Sequence, residues 1–227
     1  PLRYWFYAMF LFLAHKRGVS SCQLARNLGI TQKAAWNMLT KIRAYMNVFN
    51  NGSLSGEVEI DETFVGGKNK NRHADKKVKN SQGRSFKDKV PVFGMLQRNG
   101  NMVAKVVDNT KSSTLEPYIK NYVKEESVIY TDGWDYGGLN ESYIQRSVDH
   151  GSHFYGTTFV SSDGELIQVS TNKIENAWSH LKRTIFGTYY KVSKKHMQKY
   201  VDEFVFRFNT RNYSDCERFD LYLQNIA

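Results

Sequence analysis

Glu57-Val58-Glu59-Ile60-Asp61-Glu62-Thr63-Phe64-Val65 opens with strict alternation of acidic and apolar side chains. A period of two belongs to a β-strand, so Val58 and Ile60 share one face and Glu57, Glu59 and Asp61 the other. The pattern predicts a strand over 56–65. Ser127-Val128-Ile129-Tyr130-Thr131-Asp132, just before Gly133-Trp134, reads as a second strand that also ends in Asp. Between them lie predicted strands at 90–98 and 101–108, joined by the turn Arg98-Asn99-Gly100-Asn101, and a helix from Thr114 to Glu126. A short strand is expected at 143–149. A helix then carries Asn172-Lys173-Ile174-Glu175-Asn176-Ala177-Trp178-Ser179-His180-Leu181-Lys182-Arg183. A last amphipathic helix runs from Ser193 to Phe208, with Met197, Tyr200, Val201, Phe204, Val205 and Phe208 as its core face. Three strands, a helix, a strand and later helices give the α/β class, with a mixed sheet flanked by helices.

The residues before this sheet read differently. Positions 4–46 are helical in pattern. Ser20 or Ser21 caps a helix that Gly29 stops, and Thr31 caps a second from Gln32 to about Tyr45, with Ala35, Met38, Leu39 and Ile42 at helical spacing. Short helix, tight glycine turn and second helix outline a helix-turn-helix, whose second helix would offer Gln32, Lys33, Asn37 and Lys41 to a DNA groove. A plain helical hairpin has the same outline. The expected domains are 1–49, the helix-turn-helix module, and 50–227, the α/β domain, with Asn50-Asn51-Gly52-Ser53 at their junction.

Asp61 and Asp132 end strands, and Glu175 sits in the first turn of a helix. Two Asp and one Glu so placed can hold two hard cations through oxygen ligands, and such a cation pair serves phosphodiester chemistry. Each acid also has an ordinary reading. The acidic strand face could be solvated, Asp132-Gly133 could be a turn, and Asn172 with Glu175 resembles a capping box. Glu57, Glu59 and Glu62 are the nearest rivals to Asp61, and Glu62 should face away from it in a regular strand. Strand ends and the adjacent helix are where α/β sheets place ligands.

Composition points toward a polyanionic partner. The 227 residues carry a net charge of +10, and the pI is about 9.5. The basic loop 66–89 holds much of the excess. From Lys68 to Lys89, nine basic side chains (Lys68, Lys70, Arg72, Lys76, Lys77, Lys79, Arg84, Lys87, Lys89) stand against Asp75 and Asp88, a balance of +7. It is either a solvated loop or a grip on a phosphate backbone. The apolar run Trp5 to Ala14 is too short to span a membrane and lacks the marks of a signal peptide, so it reads as a buried helix. Two cysteines, Cys22 and Cys216, suggest reduced thiols and an intracellular location. Residue 1 is Pro rather than Met, which leaves residues before it open.

Four stretches, in order and spacing, carry a resemblance: Glu59 to Lys68, Tyr130-Thr131-Asp132-Gly133-Trp134, Thr171 to Trp178 through Lys182-Arg183, and Gly187-Thr188-Tyr189-Tyr190. Over roughly residues 55–212 the chain resembles the DDE transposases of small bacterial insertion sequences, the group to which the Merlin elements are related. The resemblance implies a ribonuclease H-like catalytic core in which Asp61, Asp132 and Glu175 match the family's three acids. It implies two Mg²⁺ ions, with Mn²⁺ able to substitute. Lys182 matches the family's basic residue on the same helix, seven residues and nearly two turns after Glu175, and Arg183 follows it. Some members carry Asn at the third acidic position; this chain has Glu. The family's paired-cysteine zinc ribbon is missing here, which fits a truncated start or a shorter member.

The expectation is therefore a transposase that cuts double-stranded DNA at its element's terminal inverted repeats and joins the freed 3′ hydroxyl to target DNA. A homodimer or larger complex on DNA, no membrane, and a bacterial cytoplasm (or a nucleus, if the source is eukaryotic) go with it. The alternatives are a helix-turn-helix regulator with a catalytically inactive α/β domain, and a nuclease without a joining step. His150 and His153 are weaker candidates, as auxiliary groups or turn residues, and Trp134 and Trp178 read as packing residues. A zinc site lacks four clustered ligands, and no Gly-x-Ser-x-Gly elbow supports a serine hydrolase.

Overall fold

The computed structural model describes residues 1–67, 73–79, 85, 88–133, 136–148, 157–160 and 166–226. Its elements run α1 Leu2–Ala14, α2 Ser21–Leu28, α3 Gln32–Ala44, β1 Glu57–Val65, β2 Val90–Gln97, β3 Met102–Val106, α4 Ser112–Tyr122, β4 Val128–Asp132, β5 Ile144–Val148, β6 Thr157–Val160, β7 Leu166–Val169, α5 Asn172–Thr184, α6 Met197–Asn209 and α7 Asp215–Gln224. They divide into two compact units, residues 52–180 and residues 1–51 with 181–227.

The first of these is a sheet unit. Five strands lie in the order β3-β2-β1-β4-β5. β1–β2 and β2–β3 pair antiparallel, while β1–β4 and β4–β5 pair parallel. A tight turn can join the antiparallel strands, but a parallel pair needs a crossover, and α4 supplies it between β3 and β4. β6 and β7 form a separate two-stranded hairpin. On one face Val58, Ile60, Phe93, Met95 and Val103 pack with Leu115 and Ile119 of α4, joined by Tyr136, Leu139 and Tyr143. The alternation in β1 holds, yet its acidic face is solvated only in part: Glu57 is exposed, Asp61 half-buried and Glu59 fully buried. The start of α5 approaches that face, for the amides of Lys173 and Ile174 bond to Glu59.

The α4 helix ends at Tyr122, short of the expected Glu126. Val123 turns extended and bridges Leu54, whose amide bonds to Tyr122 O at 2.7 Å and whose carbonyl accepts from Lys124 N at 2.8 Å. Long-range pairing there outweighs local helix preference.

The helical unit holds the expected caps. Ser20 accepts from Gln23 N, Gly29 takes the left-handed conformation (φ 63°) at the end of α2, and Thr31 accepts from Ala34 N. Phe12, Leu13, Leu24, Leu39, Ile42 and Met46 form its core with Phe206 of α6 and Tyr222 of α7. Inside it Arg43 is buried against Glu203 (Nε–Oε2 2.8 Å), its guanidinium 4.2 Å from the centre of the Tyr200 ring.

Candidate active site

The site grows from the central strand pair of the sheet. β1 and β4 run parallel, with Glu57, Val58 and Glu59 beside Val128, Ile129 and Tyr130. Carrying that register forward brings Asp61 level with Asp132, the last residue of β4. Asp132 and Glu175 bear on the charge of Asp61. Its carboxyl is pushed from an ordinary 3.8 up to about 7, first by burial, then by Glu62, with Glu175 and Asp132 adding to the shift. A hydrogen bond from the backbone at Glu62 pulls the other way. The three predicted acids, and Glu62 with them, therefore share one electrostatic field.

Glu62 also holds Tyr136. The phenol donates to Glu62 Oε1 at 3.2 Å. Burial first, then Glu62, pushes that phenol well above its usual range, with Asp61 contributing. Tyr136 is a buried neutral donor beside the acids. Its aromatic character hid it among the core residues of the sequence.

Glu175 is exposed on the first turn of α5, where the Thr171 hydroxyl donates to its Oε1 at 3.3 Å. The sequence suggested a capping box of Asn172 and Glu175. Instead Asn172 is already helical, and the first-turn amides of Lys173 and Ile174 donate to Oε2 of Glu59, each at 3.0 Å. A strand carboxylate supplies the capping because it is buried within reach of those amides. Glu59 Oε1 accepts from Arg98 Nε at 2.9 Å, and Arg98 Nη2 donates to Ser170 O at 2.9 Å. Arg98 lies over the Tyr130 ring, 3.9 Å from its centre, and the Tyr130 hydroxyl donates to Glu57.

α5 is also seated by its tryptophan. Trp178 is buried, and a Cβ at Gly94 would lie 2.3 Å from its ring. Gly94 is the cross-strand partner of Asp61. Only a glycine lets the indole lie on the sheet beside the acidic strand.

Among the described residues no three His, Cys, Asp or Glu side chains converge closely enough to enclose a metal ion. The carboxylates of Asp61, Asp132 and Glu175 are nonetheless the oxygen donors that a hard divalent cation prefers. Burial first, and then the neighbouring acids, raise the carboxyl of Asp61, and a bound cation would offset both.

Of the other predicted residues, Lys182 is half-buried and Arg183 exposed on the later turns of α5. Gln32, Lys33, Asn37 and Lys41 are exposed on α3; Gln32 Nε2 donates to Ser21 Oγ at 2.7 Å, and Lys41 lies over the Trp5 ring. Lys77 and Lys79 are exposed. Lys68, Lys70, Arg72, Arg84, Lys87, Trp134, His150, His153 and the side chain of Lys76 lie outside the described residues. No described helix is long and apolar enough to cross a membrane.

The family described as the ISXO2-like transposase domain matches residues 53–209, a span that includes Asp61, Asp132, Glu175 and Lys182. The chain is also similar to an uncharacterized transposase-like protein of Haemophilus influenzae. Identity there is 34% over 107 residues, covering 46% of this chain and 77% of that protein.

Proposed function

The chain belongs to the ISXO2-like transposase family, and from that premise we propose that it cuts DNA at the ends of a mobile element and joins the freed 3′ hydroxyl to target DNA. One observation carries the assignment of the site. Asp132 and Glu175, both far from Asp61 in sequence, help to raise its carboxyl, and all three lie within the matched span. The order β3-β2-β1-β4-β5, with its antiparallel and parallel halves, supports a ribonuclease H-like core.

In this reading Asp61, Asp132 and Glu175 hold two Mg²⁺ ions, for which Mn²⁺ can substitute. Bound there, such ions would supply Lewis acidity, which would favour an attacking oxygen and stabilise a leaving 3′ oxygen. The chain positions the reacting groups without forming a covalent bond to DNA. Tyr136 keeps its proton beside Glu62 and so orients that carboxylate. Lys182 meets a phosphate or a base near the cut. The helix-turn-helix of α2 and α3 reads the terminal repeats through Gln32, Lys33, Asn37 and Lys41, and the basic loop grips the backbone. Both element ends must be handled together, so a dimer or larger complex assembles on DNA.

The test is nicking of terminal-repeat DNA and of supercoiled plasmid by the purified chain with Mg²⁺, Mn²⁺ or EDTA, with Asp132→Asn alongside. Metal-dependent nicking and strand-transfer products from the wild type, both lost in the variant while DNA affinity stays, are expected. Cleavage retained by Asp132→Asn would reject the site assignment. Binding without cleavage of repeat-bearing DNA would favour a regulator.

A further inference from the structure

Glu59 is a fully buried carboxylate two residues before Asp61. A group of that kind is kept charged only when several donors compensate it. Its four named surroundings are the amides of Lys173 and Ile174, the Arg98 guanidinium, and, through Arg98, the carbonyl of Ser170. All of them converge on the entry of α5. The first turn of a helix leaves four amides without partners in the helix, and Glu59 takes two of them. Arg98 grips the chain two residues before the helix begins, and its guanidinium lies 3.9 Å from the centre of the Tyr130 ring. Glu175 follows directly on Ile174.

We propose that Glu59 and Arg98 are a positioning pair: they lock the first turn of α5 to the strand carrying Asp61 and thereby set Glu175 for metal binding. This rests on the metal-site reading given above. Neither residue touches the reacting atoms. The pair ties the register of β1 to the phase of α5, so two acids from separate elements keep a fixed spacing. Arg is suited to this because its rigid planar fork sets separate nitrogens, Nε and Nη2, toward Glu59 and Ser170, directions that the single nitrogen of an ammonium does not fix.

The test uses the full chain and Mn²⁺ alone, with binding followed by the loss of the free-ion paramagnetic resonance signal, and backbone hydrogen exchange measured in parallel. The variants are Glu59→Gln, Arg98→Lys and Asp61→Asn. Glu59→Gln keeps the shape but turns an amide donor or a neutral oxygen toward the guanidinium. Arg98→Lys leaves Glu59 a cation and covers the case in which Glu59→Gln fails to fold. Both should exchange the amides of residues 173–175 at least about tenfold faster while β2 and β3 stay protected. Both should also weaken Mn²⁺ binding by about 10- to 100-fold, the range for groups that orient metal ligands. Cleavage should recover toward the wild-type rate at saturating Mn²⁺ while β2 and β3 stay as protected as in the wild type, a combination that a merely destabilised core would not show. Wild-type Mn²⁺ affinity and unchanged exchange in a folded variant would overturn the pair's role while the metal site stands. A wild type that binds no more Mn²⁺ than Asp61→Asn would overturn the metal-site reading itself, and this proposal with it.

Discussion

Asp61 shows what one residue's surroundings do to its chemistry. Its folded carboxyl titrates near 7 rather than 3.8, so between those values the folded chain holds a proton that the unfolded chain has released. The contribution of Asp61 to the stability of the metal-free protein is therefore greatest below about pH 4, falls between about pH 4 and 7, and is level above that. Asp61→Asn removes the group and with it this loss. In EDTA the variant should melt about 5 °C or more above the wild type at pH 8, and the gap should shrink steadily as pH falls toward 4. Added Mn²⁺ should raise the wild type at pH 8 and leave the variant nearly unmoved. Parallel pH profiles for both proteins would show that Asp61 is not the strained acid. The face of β1 that carries Asp61 was legible from alternation alone, but Asp61 lies in the middle of that strand rather than at its end, because β1 stays paired with β2 as far as Val65. The role of Glu59 was not legible, because alternation puts both acids on the same face and says nothing of the helix that arrives over 110 residues later.

At the scale of elements, most strands and helices follow from local pattern because their apolar spacing matches their period. The Ser20 and Thr31 caps and the stop at Gly29 were readable for the same reason. What local pattern does not give is decided by partners distant in sequence. α7 carries a complete capping box, Ser214 with Glu217, and that spacing is plain in the sequence. The hairpin of β6 and β7 was not expected at all. The docking of α5 belongs here too. Trp178 gains its seat only because Gly94 has no side chain, and a Cβ would meet ring atoms at 2.3 and 2.4 Å. Gly94→Ala should cost about 1–3 kcal/mol by overpacking, read as a lower urea midpoint and a changed Trp fluorescence. Gly67→Ala, where a Cβ meets nothing within 4 Å, is the matched control. Equal midpoints for the two variants would refute the seat.

At the scale of the chain, the helical unit is made from both ends of the sequence. Residues 181–227 pack with 1–51, and no local signal announces it. Arg43 reaches Glu203 across 160 residues, and the Tyr222 hydroxyl donates to Ile42 O across 180, at 2.9 Å. Tyr222 is buried, its phenol pushed well above the usual range by burial, so it stays a neutral donor at any working pH. The helices α2 and α3, proposed to read DNA, thus depend on a residue five positions from the last. Tyr222→Phe removes one buried hydrogen bond and leaves the Ile42 carbonyl without that donor, a loss of about 1–3 kcal/mol. Tyr222→Ala opens a cavity among Phe206, Ile42 and their neighbours and should cost about 3–5 kcal/mol. Hydrogen exchange on the full chain can tell a local effect from a shared one. If the two ends form one cooperative unit, Tyr222→Ala raises exchange in α1 and α3 as much as in α7, and affinity for terminal-repeat DNA falls with it. If the loss of protection stops at α7, the end of the chain is an ornament on that unit and α3 owes its shape to its own caps.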